Sequence, residues 1–109
     1  MKLNKIKKGN YYRLKTKKWL EKDGYQVAIL ECRQRIFTPK GIIFIGRDVW
    51  ASDLMAANKE DLIFIQVKSN KVDIVKGMAE FKKYLFPSFV KKWVVYWESR
   101  AKEPIITEV

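Results

Sequence analysis

Three side chains in the middle of the chain are spaced for chemistry. Asp53 opens the apolar run "DLMAA", and Gln66 and Lys68 close the apolar run "LIFIQVK". Side chains on a strand alternate between faces, so Gln66 and Lys68 share one face with Val67 on the other. A carboxylate, an amide and an ammonium at the end of an otherwise apolar hairpin are costly unless they satisfy one another or serve a ligand. One arrangement is a structural Asp–Lys pair. The other is a site for a hard divalent cation, in which carboxylate, amide and backbone carbonyl oxygens suit Mg²⁺. Lys68 would then sit beside an activated water or a phosphate oxygen.

The segments around these residues must bring them together. "DLMAA" (Asp53–Ala57) and "LIFIQVK" (Leu62–Lys68) read as strands joined by the polar "NKED". With a four-residue loop, Ala57 faces Leu62, and counting back sets Asp53 across from Gln66, with Lys68 next on that face. Upstream, Asn10 is a candidate cap for a helix to about Asp23, ended by Gly24. Its Tyr12, Thr16, Trp19 and Leu20 fall at helical spacing toward a core. Lys15, Lys18 and Lys22, with Arg13 and Lys17 nearby, form a basic ridge that either is solvated or contacts phosphates. "YQVAILECRQRIF" (Tyr25–Phe37) reads as one strand, "TPKG" as a turn, "IIFI" (Ile42–Ile45) as a strand and "GRDVWAS" (Gly46–Ser52) as a loop. A second helix is expected over about Val72 to Leu85, with Ile74, Met78, Phe81 and Leu85 as its apolar stripe and Pro87 beyond its end. "KWVVYWE" (Lys92–Glu98) reads as a strand covered on both faces, and "PIITEV" as an edge strand. The order is that of an α/β domain, a mixed sheet with helices packed on it.

Composition narrows the chemistry further. The 109 residues amount to one domain, with residues 1–9 as a basic N-terminal arm. The sequence has no histidine and one cysteine, Cys32, which excludes histidine-based acid–base catalysis, histidine-containing triads and disulfide or cysteine–zinc frameworks. Any catalysis must rest on carboxylates, lysines, tyrosines or an oxygen-bound metal ion. Lys plus Arg number 23 against 12 acids, a net charge of +11, which favours a polyanionic partner, nucleic acid before anionic membrane. No apolar run is long enough to span a membrane and the basic start lacks the apolar stretch of a signal peptide, so a cytoplasmic protein is expected.

The stretch "SDLMA…LIFIQVKS", with its thirteen-residue step from Asp53 to Gln66, resembles the PD-(D/E)xK nuclease superfamily. Within it the likeness is to small archaeal-type Holliday-junction resolvases, and the Gln-x-Lys form is also similar to some restriction endonucleases. Ser52 stands where proline is usual, Asp53 is the motif aspartate, Gln66 replaces the acid and Lys68 is the lysine. "DGYQV" after the first helix and a buried strand after the second follow the same pattern, from about Gly9 to Glu98. The resemblance implies a restriction-endonuclease-like αβββαβ core, a mixed central sheet flanked by helices. It implies a prokaryotic or viral endonuclease acting on DNA, branched DNA in the resolvase case, as a homodimer without membrane contact. Asp53, the Gln66 oxygen and the Val67 carbonyl would hold Mg²⁺ or Mn²⁺, and Lys68 would stabilise charge on the phosphate. Members often carry a glutamate early in the first helix. Here no acid lies between Asn10 and Leu20, and Asp48 in "GRDVWASD" is the candidate to supply that charge, or else to pair with Arg47 or Arg35. Arg13, Lys15, Lys17, Lys18, Arg47, Ser69 and Lys71 are candidate DNA contacts. Trp50 either stacks on a base or seals the core edge. A restriction- or repair-type nuclease on duplex DNA, and a catalytically silent nucleic-acid-binding module of the same fold, are the competing expectations.

Overall fold

The computed structural model describes residues 5–109, and their side chains except those of 5–9, 31–36 and 43–48. It is an α/β fold with elements in the order α1 (Lys5–Lys22), β1 (Gln26–Ile29), β2 (Glu31–Thr38), β3 (Gly41–Asp48), β4 (Leu54–Ala57), β5 (Leu62–Lys68), α2 (Asp73–Phe81), β6 (Val90–Tyr96) and β7 (Ile105–Glu108). Five strands form one mixed sheet, ordered β1-β4-β5-β6-β7, while β2 and β3 pair only with each other. β5 and β6 run parallel, connected through α2; the other neighbours are antiparallel.

Two apolar layers sandwich β5. On one face Leu20 of α1 packs with Leu54, Ala56, Ile63, Ile65, Val95 and Trp97. On the other, Phe81 of α2 packs with Phe64, Val90 and Val94, and Ile74, Met78 and Phe86 complete the layer. Alternation along β5 sends Ile63 and Ile65 to α1 and Phe64 to α2, so a run apolar at successive positions is what a strand covered on both faces requires.

Helix α1 starts earlier than Asn10, and residues 5–9 of the expected arm are helical. Residues 1–4 of that arm lie outside the described residues. Glycine inside a helix costs only about 1 kcal/mol relative to alanine, too little for Gly9 to stop a helix anchored further on by Thr16 and Leu20. At its other end the expectation holds. Gly24, at φ 93°, adopts the left-handed conformation that glycine takes freely. Tyr25 N–H then donates to Leu20 O at 3.1 Å and Gly24 N–H to Glu21 O at 3.1 Å, a Schellman closure.

The segment Tyr25–Phe37 is two strands rather than one. Leu30 N–H donates to Asp53 O at 2.9 Å, and beyond it the chain leaves the main sheet to pair with β3 from Glu31↔Asp48 to Thr38↔Gly41. β3 accordingly runs to Asp48, and the loop expected from Gly46 is confined to a tight turn. Val49 and Ser52 exchange N–H···O bonds of 3.3 and 2.9 Å, with Trp50 at φ 48° and Ala51 at φ 62°. Helix α2 stops at Phe81, short of Leu85, where the last N–H groups shift to three-residue spacing, Lys83 to Glu80 O and Tyr84 to Phe81 O. Leu85 is therefore solvent-exposed, and Phe86 takes its place beside Phe81 and Phe64.

Candidate active site

The site is assembled where β4 begins and β5 ends. The β4–β5 register is the one counted from the loop, Ala57↔Leu62 through Leu54↔Ile65. The loop holds it, since Asn58 Oδ1 accepts from Glu60 N–H at 2.9 Å and Asp61 N–H at 2.6 Å. The ladder ends one pair before Asp53, whose own N–H donates back to Ile65 O at 2.8 Å. Asp53 therefore does not sit as a ladder partner of Gln66. Its carboxylate continues the sheet by another route, with Oδ2 accepting from Val67 N–H at 2.9 Å.

From the α1 side, Arg13 Nη2 lies 4.0 Å from Asp53 Oδ1. The first helix thus reaches the aspartate with a cation rather than an acid. Gln66 and Lys68 lie on the α2 side, as the alternation requires. Gln66 is 2 % exposed. Its Nε2 donates to Ala51 O at 2.8 Å and to Glu80 Oε2 at 2.8 Å. Both partners are acceptors, so the nitrogen must face them and the oxygen is turned the other way. Gln66 Oε1 is buried and has no donor among the described residues. It lies against Gly77, where a Cβ would collide with it, and the Lys68 Cε atom passes 3.1 Å from that same Cβ position.

The remaining sequence candidates are scattered around this centre. Lys15 is not a free ridge cation: its Nζ donates to Ala101 O at 3.3 Å and lies 4.4 Å above the Trp97 ring. Lys17 pairs with Glu21 at 3.1 Å, while Lys18 and Lys71 are exposed and Ser69 is half-buried. Trp50 seals the core edge, one of the two roles expected of it. It packs on Phe64 and Phe86 with ring centroids 5.7 and 6.2 Å away, and remains 54 % exposed. Ser52 is buried, its Oγ donating to Trp50 O at 3.2 Å. Val67 packs toward α1. Asp48 and Arg47 lie at the end of β3 paired with Glu31 and Cys32, and their side chains fall outside the described residues.

Sequence reasoning missed Glu80, Gly77 and the Ala51 carbonyl. A signal for the first two was available. Gly77 interrupts a helix, which points to a close backbone approach, and Glu80 lies one turn on, beside the apolar stripe. The oxygens around the end of β5 are the Asp53 carboxylate, on Val67 N–H and beside Arg13, the Glu80 carboxylate, on the Gln66 nitrogen, and the orphaned Gln66 Oε1 against Gly77. An unmet buried acceptor among oxygen ligands fits a hard divalent cation. No group of three or more Asp, Glu, Cys or His side chains able to hold a metal occurs among the described residues. No helix among the described residues is long and apolar enough to cross a membrane. Comparison with models of known protein families, with curated proteins and with solved structures finds no match.

Proposed function

We propose that the chain is a metal-dependent DNA endonuclease of the PD-(D/E)xK type, hydrolysing phosphodiester bonds in branched DNA such as Holliday junctions. The observation that carries this reading is the meeting of β4 and β5, where Asp53 Oδ2 rests on Val67 N–H at 2.9 Å, between Gln66 and Lys68 in the chain. The topology supports it. With the β2–β3 hairpin set aside, a helix is followed by three neighbouring antiparallel strands, a helix and a strand parallel to the last, compatible with a restriction-endonuclease-like core.

Asp53, Gln66 Oε1, the Val67 carbonyl and Asp48 are the groups that would hold Mg²⁺ or Mn²⁺ in this reading. When bound, the ion supplies an activated water and polarises the scissile phosphate. Val67 N–H fixes one oxygen of Asp53 while Arg13 draws on the other. Lys68, which makes no hydrogen bond or ion pair among the described residues, is available to a phosphate oxygen, where its charge offsets the negative charge that builds in the transition state. A two-fold dimer would present two such sites to the two strands of a junction.

A second reading, a nucleic-acid-binding module without catalysis, is favoured by one specific observation: the two acidic-site positions have protein partners, Asp53 near Arg13 and the Gln66 nitrogen on Glu80. Incubating the protein with end-labelled four-way junction, duplex and flap DNA, in Mg²⁺, Mn²⁺ or EDTA, separates the readings. Metal-dependent nicking of the junction is expected, abolished by Asp53→Ala and by Lys68→Ala while gel-shift binding persists. Duplex cut as readily as junction would point to a restriction- or repair-type enzyme. Binding without cutting in every metal would leave the silent module.

A further inference from the structure

The tip of the β2–β3 hairpin carries two bulky apolar side chains that belong to neither layer of the core. Phe37 and Ile42 stand directly across from each other in the ladder and so share a face. They are 75 % and 52 % exposed. Between them the chain turns through Pro39 and Lys40, both exposed, and Thr38 Oγ1 donates to Gly41 O at 2.8 Å across the turn. Single exposed apolar residues are ordinary. An opposed pair at the end of a two-stranded ribbon with open edges invites aggregation unless it has a use. Both roots of this ribbon are tied to the candidate site. Leu30 N–H, just before β2, donates to Asp53 O at 2.9 Å, and the turn after β3 is held through Ala51 O by Gln66 Nε2 at 2.8 Å. Each strand has eight residues, a reach of about 26 Å at roughly 3.3 Å per residue. The charge of the ribbon has one sign: from Cys32 to Arg47 the chain has Arg33, Arg35, Lys40 and Arg47 and no acid.

We infer that the hairpin tip is an apolar wedge that stacks on bases exposed where DNA branches, with Phe37 as the stacking ring and Ile42 beside it. The inference rests on the DNA-binding part of the proposed function and names what selects branched over continuous DNA. A two-stranded ribbon fits a duplex groove. Its cations attract phosphates, while an aromatic ring stacks on a base of any kind. Inside a continuous duplex a wedge must first unstack a base step. At a branch point the stack is already interrupted, so insertion costs least there. A second copy of the chain is the poorer occupant, because two such ribbons side by side bring cations against cations.

The test uses the full chain in EDTA or Ca²⁺ and a four-way junction with 2-aminopurine beside the branch point. A duplex with the same base in its interior is the control. The unaltered chain is expected to change the 2-aminopurine fluorescence of the junction and not of the duplex. Phe37→Ala is expected to remove that change and to weaken junction binding about tenfold, the scale of one lost base stack, with duplex affinity and melting temperature held. Phe37→Tyr, which keeps the ring, is expected to retain both the signal and the affinity. Equal junction affinity and fluorescence for Phe37→Ala and the unaltered chain would overturn the wedge, and metal-dependent nicking by that same variant would leave the nuclease reading standing. A dimer in sedimentation that Phe37→Ala converts to a monomer, with the junction signal intact, would assign the tip to a second copy and overturn the wedge as well. Failure of the unaltered chain to bind any of these DNAs would remove the wedge and the proposed function together.

Discussion

At Gly77 the absence of one methyl group decides where Gln66 lies. An added Cβ would fall on Gln66 Oε1 and stand 3.3 Å from Val94 Cγ1, so the amide would have to leave its position. Leaving it breaks the bonds to Ala51 O and Glu80, each a net contribution of about 1 kcal/mol, with more at the charged acceptor. Alanine regains about 1 kcal/mol of helix propensity, and overpacking a filled site costs about 1–3 kcal/mol. Gly77→Ala is therefore expected to destabilise the protein by about 1–3 kcal/mol in urea unfolding; equal or greater stability would show that Gln66 moves at no cost. The same amide holds the carbonyl of Ala51, which with Trp50 sits in left-handed backbone that non-glycine residues adopt only at a cost of about 1–2 kcal/mol each. The β4–β5 register that sets Asp53 near the end of β5 was legible because spacing along two strands is a property of the chain alone. Glu80 was not, because its partner is fourteen positions away and the contact exists only once α2 has packed on β5.

The attachment of α1 to the sheet depends on a short polar chain inside an apolar layer. Trp97 Nε1–H donates to Thr16 Oγ1 at 2.8 Å, and that hydroxyl donates to Tyr12 O at 2.7 Å. Both Thr16 and Trp97 are buried. Thr16→Val keeps the shape and leaves the indole N–H without an acceptor, an expected cost of about 1–3 kcal/mol. Thr16→Ser keeps the acceptor and loses one methyl, about 0.8 kcal/mol. Denaturant midpoints should thus fall further for valine than for serine, and the reverse order would mean that packing, not the hydrogen bond, fastens α1. Element by element, what the sequence disclosed follows the range of the forces involved. The helix ending at Gly24 and the β4–β5 register were readable because glycine conformation and loop length act locally. The break at Leu30 was not, because its N–H is satisfied by Asp53 O, far along the chain, and nothing in "YQVAILECRQRIF" marks the change of sheet. The end of α2 was misplaced for a similar reason. Leu85 continues the apolar spacing, but Phe86 fills the space between Phe81 and Phe64 better, and that choice belongs to the packed core.

For the whole molecule, a net charge of +11 on a body 48 Å in its longest dimension defines how DNA would be met. That length is about 14 nucleotide steps at 3.4 Å each. The charge is not a single ridge. On α1, Lys15 is committed to Trp97 and Ala101, and Lys17 to Glu21, whereas Lys18 is exposed; beyond β5, Lys71 is exposed as well. Counterion release makes the logarithm of DNA affinity fall linearly with the logarithm of salt, with a slope of about −0.9 for each phosphate neutralised on duplex DNA. Every cation that contacts a phosphate should therefore lower the slope's magnitude by about one when neutralised. Measured by fluorescence anisotropy across a salt series, Lys18→Gln and Lys71→Gln are each expected to do so. Lys17→Gln is expected to leave the slope unchanged, because Glu21 already occupies that ammonium at 3.1 Å. An equal effect at Lys17 and Lys18 would mean that the Glu21 pair opens on binding and that the basic ridge of α1 acts as one surface. A flat salt response would separate the positive charge of this chain from nucleic acid altogether.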